Sequence, residues 1–116
     1  EEAVEMIEQK ENVQKVEKKV FLLYAHRAWL KCIETYEKGI GKGLAFSHNC
    51  HTNVMFSCNM IGQWEKSVKI FAQLEKRNQH KHSLLYAALL MAHSEGKNVY
   101  EAISYLNEII GSKEIK

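Results

Sequence analysis

The run Gly62–Gln63–Trp64–Glu65–Lys66–Ser67–Val68–Lys69–Ile70–Phe71–Ala72–Gln73–Leu74 decides how this chain is read. Trp64, Ser67, Val68 and Phe71 stand at i, i+3, i+4 and i+7, which lines one face of an α-helix. Leu74 extends the stripe by one turn. Gly62, just ahead of it, can adopt the left-handed conformation that closes a preceding helix. The run therefore predicts the second helix of a helical hairpin, entered through a tight turn.

Shifting the sequence by 35 residues brings the same stripe back twice. Trp29, Cys32, Ile33 and Tyr36 precede it, and Val99, Ala102, Ile103 and Leu106 follow it. A further member runs Gly39, Leu74, Ile109, with Val4 one step earlier. These stripes predict second helices at roughly 28–38, 63–76 and 98–110. Upstream of each lies a first helix, marked by Val16, Val20 and Leu23, then His51, Met55 and Cys58, then Tyr86, Leu90 and His93. Gly62 and Gly96 fall between first and second helices and predict left-handed turns. Arg27 holds the place of Gly62 in the first hairpin, which leaves open both a turn there and a single helix from about 13 to 38. Glycines and short polar residues at 39–43, at 78–82 and at Gly111–Ser112 separate the hairpins.

The fold expected is all-α: an α-α superhelix, or solenoid, of about three 35-residue helical hairpins in one domain. The repeats run from about 13 to 47, 48 to 82 and 83 to 116, and residues 1–12 read as the tail of a preceding repeat. The chain's 116 residues include no proline, in keeping with uninterrupted helices. No apolar run reaches the roughly 20 residues needed to span a bilayer. Three cysteines without CxxC spacing read as reduced thiols.

The net charge of +2 alone announces no nucleic-acid partner. Its distribution says more. Residues 1–19 hold six glutamates against four lysines, whereas Lys76, Arg77, His80, Lys81 and His82 form a basic cluster. Every acidic residue is glutamate, and nearly all of them fall on polar helix faces. No glycine-rich phosphate loop, nucleophile elbow or paired-carboxylate motif is present, so the reading is a binding module rather than an enzyme, with no cofactor and no small-molecule substrate.

Helical pairs repeating at 34 and 35 residues are the tetratricopeptide and pentatricopeptide classes. The segment His51–Leu74 resembles a pentatricopeptide repeat, with Gly62, the polar run Gln63–Trp64–Glu65–Lys66, Ser67, the Ile70–Phe71 pair and Leu74. Tyr86, Leu89, Leu90 and Ala102 carry the same likeness in the next repeat, and the resemblance covers about residues 16–110. The proline often found near the end of such repeats is missing. A tetratricopeptide-like protein–protein scaffold with no RNA contact is the alternative, though its tryptophan–leucine–glycine–tyrosine features are lacking.

The resemblance implies a mitochondrial or plastid protein of RNA metabolism, with mitochondria the expected compartment. It would bind single-stranded or structured RNA, or hold a place among the protein subunits of a ribonucleoprotein such as the mitochondrial ribosome. Pentatricopeptide proteins read one base per repeat through side chains on the first helix and at the hairpin's end. Transferred to this chain, those positions are Thr52 with His82, Glu17 with Ser47, and Ala87. Threonine suits the role, but histidine is an unusual partner, Glu17 would repel phosphate and Ala87 cannot hydrogen-bond. Direct base reading and a scaffold role both stay open.

Three further constellations follow from residue type. Lys76, Arg77 and Lys81 favour a helix C-terminus electrostatically, or contact phosphate. His48, Cys50, His51 and Cys58 lack the paired spacing of a structural zinc site. Trp29 and Trp64, at equivalent repeat positions, read as core side chains rather than base-stacking platforms.

Overall fold

The computed structural model describes residues 2–96 and 99–111, with the side chains of Val99, Tyr105 and Ile109 set aside. Six helices follow one another: α1 (Glu2–Ala25), α2 (Trp29–Gly41), α3 (His48–Met60), α4 (Trp64–Lys76), α5 (Ser83–Glu95) and α6 (Val99–Gly111). No strand occurs among the described residues. Each of α2 and α3 has a counterpart beginning and ending 35 residues further on, α4 and α5, and α6 lies 35 residues beyond α4. The helical repeat expected from the sequence is thus present in the backbone. None of the six helices is long and apolar enough to cross a membrane.

The turns repeat as strictly as the helices. Arg27 and Gly62 both take left-handed conformations, with φ of 60° and 78°. Gly43 and Asn78, again 35 residues apart, do the same at 80° and 54°. The ambiguity at Arg27 is thereby resolved: α1 stops at Ala25, and the amides of Arg27 and Ala28 close the turn on the carbonyls of Tyr24 and Leu23. Gly96 departs from the expectation. Its φ is −81°, an ordinary right-handed value. It is glycine for want of room: a β-carbon there would lie 2.7–2.8 Å from the Trp64 ring. Gly39 is similar, with the Phe46 ring against it.

Residues 2–12 form no separate tail helix. They lengthen α1 without a break, and Val4, Met6 and Ile7 stay exposed along that extension. Residues 13–25 of α1 are the counterpart of α3 and α5.

Packing follows the repeat. α1 contacts α2 and α3, α3 contacts α4 and α5, and α5 contacts α6. Each second helix α2 and α4 also touches the first helix of the next hairpin. Two apolar clusters result. Val20, Cys32, Ile33, Tyr36, Cys50, Val54 and Cys58 join α1, α2 and α3. Met55, Phe71, Leu74, Leu85, Tyr86, Ala88 and Leu89 join α3, α4 and α5. No hairpin buries its apolar face alone, and the molecule is elongated, 49 × 31 × 20 Å.

Cys32, Ile33, Tyr36, Gly39, Ser67, Phe71 and Leu74 of the stripe are buried, whereas others are not. Trp29 and Trp64 stand at the first position of α2 and α4, half-buried and outside both clusters, so they are not the core side chains expected. Trp29 packs edge-on against Tyr24, at 5.7 Å between ring centres. Leu106 and Ile103 are exposed. The side chains of Val99 and Ile109, and the expected boundary at Gly111–Ser112 through Lys116, lie wholly or partly outside the described residues.

Candidate nucleic-acid interface

The positions transferred from the base-reading pattern fall on one structural series: Glu17 on α1, Thr52 on α3 and Ala87 on α5, with Ser47 and His82 immediately before α3 and α5. The structure brings Glu17 and Ser47 together. The Ser47 hydroxyl donates to Glu17 Oε2 at 2.5 Å and also accepts the Cys50 amide as the N-cap of α3. Carboxylate and hydroxyl thus satisfy each other at a helix start.

Thr52 is placed differently. It is 3% exposed, and its hydroxyl donates to the His48 carbonyl one turn back in α3. His82 caps α5, its Nδ1 accepting the Leu84 amide at 3.3 Å. Its ring stacks on His48, 5.1 Å between centres and 21° between planes, while His48 Nε2 meets the Gln79 carbonyl at 3.0 Å. Ala87 is exposed on α5 and offers no polar group. Thr52 and His82 are linked through His48 rather than directly.

The basic cluster lies where the sequence put it, at the end of α4 and in the turn after it. Lys76 closes α4, Arg77 is its C-cap, and Lys81 is half-buried in the turn. His80 does not belong to the surface group. It is 7% exposed and sits edge-on to both Phe71 and Tyr86.

A second basic feature escaped sequence reasoning. Between α2 and α4, with α3 as floor, runs an open groove of about 570 Å³. Ile33, Val54 and Ile70 supply apolar floor and wall, and Lys66, Lys69 and Arg77 line its α4 side. Lys66 is paired with Glu37 across the groove at 3.4 Å, an exposed ion pair. The signal was available: Lys66, Ile70, Gln73 and Arg77 recur at helical spacing along α4.

The histidine–cysteine constellation divides among separate tasks. Cys50 and Cys58 are buried in the first cluster, where burial pushes their thiols up to about 12 and about 11. His51 is bonded to Tyr36, and His48 to the turn before α5. Among the described residues no three metal-ligating side chains converge.

Comparison with known proteins adds no name to this geometry: no family model matches the chain, and no curated protein matches it.

Proposed function

We propose that the chain is a pentatricopeptide-like solenoid module of organellar, most specifically mitochondrial, RNA metabolism, working inside a ribonucleoprotein assembly. The observation that carries this reading is the 35-residue recurrence of helix bounds and of left-handed turn residues, Arg27 with Gly62 and Gly43 with Asn78. A strict period in both elements and turns suits hairpins stacked into a superhelix.

Contact with RNA is assigned to phosphates rather than to bases. Lys76, Arg77 and Lys81 supply closely spaced cations at one inter-hairpin turn. By contrast, Thr52 spends its hydroxyl on its own helix and Ser47 is engaged by Glu17. On this reading the module holds a structured or single-stranded RNA by its backbone while neighbouring proteins supply specificity. It is a binding element and performs no reaction.

The test is single-stranded RNA binding followed by fluorescence anisotropy across a salt series. The wild-type chain binds at low salt. Replacing Lys76, Arg77 and Lys81 together by alanine lowers the slope of log K against log salt by about two, since each phosphate contact on a single strand contributes about 0.7. Absence of binding even at low salt, or an unchanged slope in the triple variant, removes RNA from the reading and leaves the protein–protein scaffold.

A further inference from the structure

The groove between α2 and α4 lies in the middle of the chain, walled on both sides and floored by α3. Its charge is peculiar to this station of the repeat. Lys66, Lys69 and Gln73 have Glu101, Ser104 and Glu108 as their counterparts 35 residues later on α6. Cations along this wall are therefore no requirement of helix stacking.

Two of the three cations are uncompensated. Lys66 meets Glu37 across the groove at 3.4 Å. Lys69 and Arg77 are exposed, and neither has a carboxylate at ion-pair distance among the described residues. The Arg77 charge is felt by Tyr36 and His51, on α2 and α3. Beneath these charges the lining is hydrocarbon: Ile33, Val54, Ile70 and Leu74, with Ile40, 41% exposed, at the edge. Tyr36 and His51 also line the groove, but their polar atoms are bonded to each other.

Shape and chemistry restrict the occupant. About 570 Å³ is the volume of a small-molecule site. A helix about 10 Å across would fill that volume within about five residues. It would also have to part Lys66 from Glu37. An extended polypeptide would lay backbone amides on Ile33, Val54 and Ile70, which offer them no hydrogen bond. Both objections apply equally to a partner protein and to another segment of this chain. A phosphodiester strand would suit Lys69 and Arg77 but not the hydrocarbon below them. A single alkyl chain ending in an anion suits both.

We propose that the α2–α4 groove binds an amphipathic anion of the long-chain carboxylate class. Its head group sits on Lys69 and Arg77, and its alkyl chain lies along Ile40 and Ile70. The ligand is held rather than turned over.

The probe is dodecanoate, kept below its micelle concentration and titrated into the intact chain by calorimetry, with the isoleucine methyls followed by NMR. Saturable binding is expected, shifting the Ile40 and Ile70 signals and leaving those of Ile7 and Ile110 unmoved. Full burial of one methylene strengthens binding about fourfold, so octanoate binds at least about tenfold more weakly in this open groove. Dodecyltrimethylammonium, with the same chain and the opposite charge, does not bind. Lys69→Gln combined with Ile40→Glu weakens dodecanoate by at least about tenfold, because one charge contact is lost and a like charge is added. Both residues are exposed, so the circular dichroism of this variant matches the wild type. Lys18→Gln, at an exposed cation on α1, changes nothing. Equal affinity for the ammonium or for octanoate overturns the proposal, as does undiminished binding by the double variant. So do shifts at Ile7 or Ile110 in place of Ile40 and Ile70, and so does loss of helix in place of saturable binding. RNA binding is measured apart, so failure of this site and failure of the RNA reading are separately visible.

Discussion

The Tyr36 hydroxyl and the His51 imidazole share a buried hydrogen bond of 2.8 Å that ties α2 to α3. The rings also meet edge to face, 5.6 Å between centres, with Phe46 against both. Burial drives the His51 pKa down to about 4, assisted by His48 and Arg77 and opposed by the Phe46 backbone. Burial also raises that of Tyr36, so the phenol keeps its proton. A neutral imidazole accepting from a neutral phenol is the arrangement that suits this core.

The burial of His51 makes stability depend on pH. Unfolded His51 takes up a proton near pH 6.5 and the folded residue only near 4, so stability is full above 6.5 and falls as pH drops toward 4. Chemical denaturation at pH 7 and pH 4.5 should show the wild type losing about 2–3 kcal/mol more than His51→Gln over that interval. His93, also lowered by burial, adds a loss of the same sign that both proteins share.

Gly96→Ala is expected to cost about 1–3 kcal/mol, because the new methyl meets the rigid Trp64 ring rather than a flexible chain end. Pairing it with Trp64→Leu should return part of that loss. A double-mutant cycle by urea denaturation measures the coupling, and additive behaviour would show that the contact is not the cause.

Arg27→Gly is expected to raise stability by about 0.5–1 kcal/mol, since a long side chain there is held at φ 60°. Gly62→Ala, at the same station one repeat later, should lower it by a similar amount. Opposite shifts in melting temperature are the readout.

Thr52→Val is expected to leave RNA affinity and base preference unchanged and to cost at most about 1 kcal/mol of stability, because the hydroxyl serves only the His48 carbonyl. A change in base preference, measured across homopolymer RNAs, would restore Thr52 as a reader.

The stripe Trp64–Ser67–Val68–Phe71 was enough to locate the three second helices, α2, α4 and α6, because each repeats the same apolar face at one period. α3 was less legible. It is enclosed by α1, α2, α4 and α5, and Cys50, His51, Thr52, Val54, Met55, Ser57, Cys58 and Asn59 are all buried. A helix covered on nearly every side has no polar face against which to orient Thr52. The roles of Trp64 and Gly96 were hidden for another reason. Each is explained by the other, 32 residues away, and neither spacing nor propensity records a ring lying on a backbone. The groove at Lys66, Lys69 and Arg77 depends on α2 and α4 standing apart, which only the assembled chain reveals.

All three thiols, Cys32, Cys50 and Cys58, belong to the α1–α3 cluster, and none belongs to the α3–α5 cluster. Each is shielded, and burial raises each above an ordinary thiol. Alkylating reagents therefore meet them only when the N-terminal half opens. The chain carries its own reporter of regional unfolding: labelling rates time the loosening of the α1–α3 cluster and stay blind to fraying at α6.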